Sequence, residues 1–184
     1  MKDKIRSTIR HMVQGLAHWM AYRDEMSNIQ LIEADAVLIA SDILRANLPH
    51  DYIVEREVTK KSLSVIKGLQ RIDLGIKTRQ DNTFKCLIEF KLADATNGGH
   101  IKDVEKLSTI KQGNNSIDCL VVILYRKSCV FSEPKEFVGK DGTAKRGKIK
   151  IGIKNIDVKV RHICSSYASS QAPRSKKTIC LEVL

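Results

Sequence analysis

Apolar residues recur at spacings of three and four at the start of this chain. Ile5, Ile9, Met12, Val13, Leu16, Trp19 and Met20 alternate with polar residues in a way that predicts a helix over 3–25. "MSN" breaks the pattern, and Ser27 or Asn28 is placed to cap a second helix over 29–47, with Pro49 marking its end. That second helix is apolar around much of its circumference, which predicts burial. The period then changes from helical to alternating. "DYIVEREV" (51–58), "LQRIDLGIKTR" (69–79) and the strand 84–92 containing "CLIEFKL" read as three strands of an antiparallel meander, with "QDN" (80–82) supplying a turn. In the second strand Ile72, Leu74 and Ile76 point one way and Arg71, Asp73 and Gly75 the other. "NGG" (97–99) precedes a helix over 100–112, "GNN" ends it, and "DCLVVILYR" (118–126) has the unbroken β-branched character of a strand buried on both faces.

The character changes after residue 132. A polar, glycine-bearing loop leads into "KIKIGIKNIDVKVRHI" (148–163), which alternates apolar with basic positions. Lys148, Lys150 and Lys154 share one face opposite Ile149, Ile151 and Ile153, and Lys159 and Arg161 stand opposite Val158 and Val160. "SSYASSQAPRSKK" reads as a flexible segment and "TICLEVL" as a closing strand. At 184 residues the chain has the length of a single domain, 1–184, with a core over about 28–126 and a basic β extension over about 140–184.

Composition narrows the setting. The chain is 42% hydrophobic and 29% charged, ordinary for a globular protein. No run approaches the roughly 18 apolar residues a membrane helix needs, and charges interrupt the first residues where a signal peptide would be apolar. Both features predict a cytoplasmic protein without a membrane partner. The five cysteines are odd in number, widely spaced and form no CxxC, so they read as reduced, mostly buried residues. The five histidines lack metal-ligand spacing, and His11 and His18 read as packing residues. The net charge of +11 predicts a polyanionic partner, with nucleic acid the default one. Residues 140–161 alone hold eight Lys or Arg against two Asp. Aromatic residues make up only 5%, too few for stacking platforms that grip single strands.

Charges inside apolar strands carry the candidate chemistry. Glu89 and Lys91 lie on one face of their strand while Ile88, Phe90 and Leu92 lie on the other. If the strand bearing Asp73 pairs with it, Asp73, Glu89 and Lys91 converge at one end of the sheet. Two carboxylates that close repel each other and bind a proton or a divalent cation. Oxygen ligands without His or Cys favour Mg²⁺ or Mn²⁺, which act on phosphates as Lewis acids. Lys91 adds a fixed positive charge beside the developing negative one or orients the attacking water. On the second helix Glu33 stands beside Ala36, Val37 and Ala40, where a carboxylate is costly unless paired; Asp35 is its rival on another face. The plainer alternative is an exposed Glu89–Lys91 surface pair with Asp73 opposite a cation.

Asp73 in "RIDLGI", followed by Glu89 and Lys91 in "IEFKL", resembles the active-site motif of the PD-(D/E)XK nuclease superfamily. The resemblance covers about 28–126, and Ile72 stands where the nominal motif has a proline of no catalytic role. It implies an α/β, restriction-endonuclease-like αβββαβ core, a central mixed sheet flanked by helices, with the basic β extension added. It implies that Asp73 and Glu89 hold Mg²⁺ or Mn²⁺, that Glu33 assists as a further catalytic ligand, and that Lys91 completes the catalytic set. It also implies a polar residue from the following helix, with Lys102, Lys106 and Gln112 as candidates. The implied activity is metal-dependent endonuclease cleavage of DNA, in restriction or phage defence, by a homodimer or higher homo-oligomer. Lys148, Lys150, Lys154, Lys159 and Arg161 are then candidate contacts to the DNA backbone. An RNase with the same site and a non-catalytic nucleic-acid-binding protein of the same fold are the alternatives.

Overall fold

The computed structural model describes residues 2–26, 32–59, 63, 71–93, 99–125, 137–138, 143–145, 148–167 and 175–184. The first helical pattern forms α1 (Lys2–Met26) and the second α2 (Glu33–Asn47). Leu48 closes α2 by donating its N–H to the Leu44 carbonyl, one residue before Pro49 makes continuation impossible. The helix starts at Glu33 and not at 29: Ile32, extended at φ −112° and ψ 155°, holds the N-cap position that was expected of Ser27 or Asn28, which lie outside the described residues. The meander forms as β1 (Tyr52–Val58), β2 (Ile72–Thr78) and β3 (Phe84–Ala93), followed by α3 (His100–Gly113) and β4 (Asp118–Tyr125).

The C-terminal segment departs from an appended extension. Residues 148–163 form no single strand; they fold as a hairpin of β5 (Lys148–Ile151) and β6 (Ile156–Tyr167). Gly152 at φ +73° and Asn155 at φ +51° supply the left-handed backbone that a tight reversal needs. Ile153, expected to face inward, is instead 97% exposed in that turn, and Lys154 leaves the strand face shared by Lys148 and Lys150. The segment expected to be flexible contributes its first residues to β6 and its last to β7 (Ser175–Val183); 168–174 lie outside the described residues.

All seven strands join one mixed sheet in the order β1-β2-β3-β4-β7-β6-β5. β3 and β4 are parallel, joined through α3 as a crossover requires, and the other neighbours are antiparallel. β4 therefore lies inside the sheet between β3 and β7, and its side chains alternate into cores on both faces, which explains its unbroken apolar run.

Two cores sandwich the sheet. α1 and α2 cover one face with Met12, Leu16, Met20 and Leu44 against Leu74, Ile88, Phe90 and Val122. α3 covers the other with Val104, Leu107 and Ile110 against Leu87, Val121, Ile179 and Leu181. The protein is thus a mixed α/β structure with three helices among its described residues, none of them long and apolar enough to cross a membrane. Cys86, Cys119, Cys164 and Cys180 are free thiols; Cys129 lies outside the described residues.

One local pattern reads differently in three dimensions. Ile72 was expected to share a face with Leu74 and Ile76. It packs in the α3 core instead, beside Val58, while Leu74 and Ile76 pack under α1 and α2. Glu57, at φ +52°, rolls β1 over at this point, and β2 rolls with it because Val58 pairs with Ile72.

Gly75 sits just before the roll. A Cβ there would lie 2.5 Å from the Phe84 ring and 2.8 Å from a Val58 methyl. Gly75→Ala is therefore expected to cost about 1–3 kcal/mol of stability by overpacking, measured as a lower urea midpoint.

Candidate active site

The roll of β2 creates the site. β2 pairs with β3 only as far as Leu74 opposite Ile88, and beyond that point β3 continues alongside β4 alone. The next β3 amides facing the gap are those of Phe90 and Leu92, and a sheet edge must find acceptors for them. Two carboxylates supply them. Phe90 N–H donates to Asp73 Oδ2 at 2.8 Å, and Leu92 N–H donates to Glu33 Oε2 at 3.2 Å. Asp73 comes from the rolled part of β2 and Glu33 from the first turn of α2, so strand and helix converge on one edge of β3.

Side-chain alternation does the rest. Ile88 and Phe90 anchor β3 beneath α1 and α2, which turns Glu89 and Lys91 toward α3. Glu89 is 4% exposed and forms an ion pair with Lys106 Nζ. The Lys106 ammonium also donates to the Arg71 carbonyl, fixing α3 to the start of β2. Burial and the neighbouring Asp73 charge push the Glu89 carboxyl up to about 8, with Lys106 opposing them. Lys91 Nζ lies 3.5 Å from Glu33 Oε2. Gly99 leaves room for that lysine, since a Cβ there would stand 3.0 Å from Lys91 Cε.

The structure thus brings Asp73, Glu89, Lys91 and Glu33 together. Of Lys102, Lys106 and Gln112, Lys106 is the residue of α3 that reaches the acidic pair. Asp103 belongs to the same cluster and was missed. Its Oδ2 is buried without a hydrogen-bond partner among the described residues, and burial raises its carboxyl to about 6 against the pull of Lys91 and Lys106. The available signal was its spacing, three residues before Lys106 on the same helix face. Glu55 and Glu57 of β1 differ from each other: Glu55 is half-buried against Lys77 at 2.6 Å, and Glu57 holds exposed Arg71 at 2.7 Å.

Asp73 and Glu89 are suited to a divalent cation. Two carboxylates forced together, one with its ionisation suppressed in spite of Lys106, are stabilised by further positive charge. No group of three or more His, Cys, Asp or Glu among the described residues is arranged as a complete ligand set. Mg²⁺ does not need one, because it is commonly held by one or two carboxylates with waters and substrate phosphates completing its shell.

The basic residues of the hairpin stand elsewhere. Lys148 and Lys150 both approach Asp157, at 3.7 and 2.6 Å, and Arg161 pairs with Glu182. Lys154 and Lys159 are exposed.

Glu33 links three parts of this site. Glu33→Ala is expected to cost about 1 kcal/mol by stranding the Leu92 amide and releasing Lys91, whereas Glu33→Gln keeps an acceptor and loses less. Thermal melts of the two variants measure the difference.

No family model, curated protein or solved structure matches this chain.

Proposed function

We propose that this protein is a metal-dependent nuclease that hydrolyses phosphodiester bonds in DNA, built on a restriction-endonuclease-like version of its α/β fold. The observation that carries the reading is the meeting of Asp73 and Glu89 beside a parting of β2 from β3, with Lys91 and Lys106 at hand. The chain order from α2 through three strands, α3 and β4 supports the fold assignment.

Asp73 and Glu89 would hold Mg²⁺ or Mn²⁺, which supplies Lewis-acid activation of a phosphate oxygen when bound. Glu33 braces Lys91 through an ion pair and holds the Leu92 amide through the same oxygen, so the lysine stands on a fixed strand. Lys91 presents its ammonium to the negative charge that grows on the phosphate, or orients the attacking water. Lys106 lies against Glu89 and anchors the approach of α3 to the start of β2. Cutting both strands of a duplex with one such site per chain calls for a second copy of the chain.

The test is incubation with supercoiled plasmid and with single-stranded RNA, each with Mg²⁺, Mn²⁺ or EDTA. The expected result is nicking or linearisation of plasmid that EDTA stops. Cleavage of RNA alone would move the substrate to RNA. No cleavage of either, by a folded protein that still binds nucleic acid, would favour the non-catalytic reading.

A further inference from the structure

Between α2 and the edge strand β1 lies a cleft of about 810 Å³. Glu33 and Asp73 line it, so it opens onto the β2 side of the site just described. Arg45 of α2 and Arg56 of β1 also line it, with Val37 and Leu38 as an apolar ledge. Leu38 is 45% exposed there.

The cleft also holds carboxylates, and their pairing decides its character. Glu33, Glu55 and Glu57 each carry a cation of their own: Lys91 at 3.5 Å, Lys77 at 2.6 Å and Arg71 at 2.7 Å. Asp73 is the acid the cation site would use. Arg56 is exposed and forms no ion pair with any described residue, and Arg45 has a loose ion pair with Asp42 at 3.8 Å and a long hydrogen bond to the Val54 carbonyl at 3.5 Å. The two arginines are thus the least committed charges of the cleft, and they stand next to an apolar ledge.

We infer that this cleft seats one nucleic-acid strand, with Arg45 and Arg56 on its phosphates and Val37 and Leu38 against a sugar. The inference rests on the nuclease reading for the direction in which the strand runs, toward Asp73. It also separates the substrate path from the basic hairpin. β5 lies four strands from β3, roughly 19 Å across the sheet, and Lys148 and Lys150 share Asp157. The cleft adjoins the acidic pair directly. Arginines suit such a place, because a guanidinium grips a phosphate through two parallel hydrogen bonds.

Fluorescence anisotropy with labelled single- and double-stranded DNA in EDTA, where no cutting occurs, tests the inference across a range of salt. Arg56→Ala is expected to weaken binding about tenfold, the size of one charge-assisted contact, and to reduce the salt slope by about one. Arg45→Gln should act in the same direction, with circular dichroism checking the fold because Arg45 also approaches the Val54 carbonyl. Lys4→Ala removes the same charge from the exposed side of α1 and should weaken binding less than either. Equal loss in Lys4→Ala and Arg56→Ala, unchanged affinity and slope in Arg56→Ala, or no binding by the wild type overturns the inference. Plasmid cleavage run in parallel separates the two claims. Weakened binding by Arg56→Ala in a protein that never cuts keeps the cleft and removes the nuclease; normal binding by Arg56→Ala in a protein that cuts does the reverse.

Discussion

Asp73→Asn and Lys91→Ala are each expected to lower Mg²⁺-dependent plasmid cleavage by about 10²- to 10³-fold while leaving the fold intact. The magnitude follows from what each side chain contributes. Asp73 is the carboxylate that meets Glu89 at the parting of β2 and β3, and the amide that replaces it carries no charge to attract a cation. Asparagine still presents a carbonyl oxygen to the Phe90 amide, now bonded at 2.8 Å, so β3 keeps its edge. Lys91 is half-exposed and reaches its partner through a flexible stem, so its truncation to alanine removes charge without opening a core. The two variants should also differ. Asp73→Asn should demand more Mg²⁺ for what activity remains, whereas Lys91→Ala should lose turnover at saturating Mg²⁺. Cleavage rates across a Mg²⁺ titration distinguish them, and wild-type rates in both variants would remove these residues from the chemistry.

The second large effect concerns stability and pH. The folded chain holds Glu89 up at about 8, against an ordinary 4.5. The native state therefore binds a proton that the unfolded chain has released, across the window between those values. Stability on this account is fully present below about pH 4.5 and falls as pH rises toward 8, by at most about 1.4 kcal/mol per pH unit. Asp103, raised from 3.8 to about 6, adds loss of the same sign at the lower end. Glu89→Gln removes the ionisation and keeps the shape, so its urea midpoint should decline less than the wild type's between pH 6 and pH 8. Mg²⁺ at pH 8 should restore wild-type stability and do little for Glu89→Gln, since it supplies further positive charge to a buried carboxylate pair. Parallel pH profiles of wild type and Glu89→Gln would contradict the account.

Local pattern revealed much of this arrangement. The alternation in "CLIEFKL" places Ile88 and Phe90 in one core and turns Glu89 and Lys91 to the other face, as the sheet has them. Helices α1, α2 and α3 were legible because their apolar periodicity and terminating Pro49 or "GNN" are local signals. What escaped was set by distant partners. Ile72 changes cores because Glu57, on another strand, adopts φ +52°, and no period in "RIDLGI" records that. The basic segment was read as a strand because its alternation runs on through "GIKN", where Gly152 and Asn155 in fact reverse the chain. Its place beside β7 depends on a pairing with β4 that only the assembled sheet specifies. Lys106 could not be chosen over Lys102 and Gln112 without knowing which side of α3 meets β3, and Asp103 shares that side.

The central claim is that Asp73 and Glu89 form one divalent-cation site, and direct binding of Mn²⁺ tests it without reference to any substrate. Electron paramagnetic resonance reports free Mn²⁺ as the ion is titrated into protein at pH 8. The wild type is expected to remove Mn²⁺ from solution, and Asp73→Asn and Glu89→Gln are each expected to abolish the uptake. Uptake that persists undiminished in both variants, or a wild type that takes up none, would contradict the central claim.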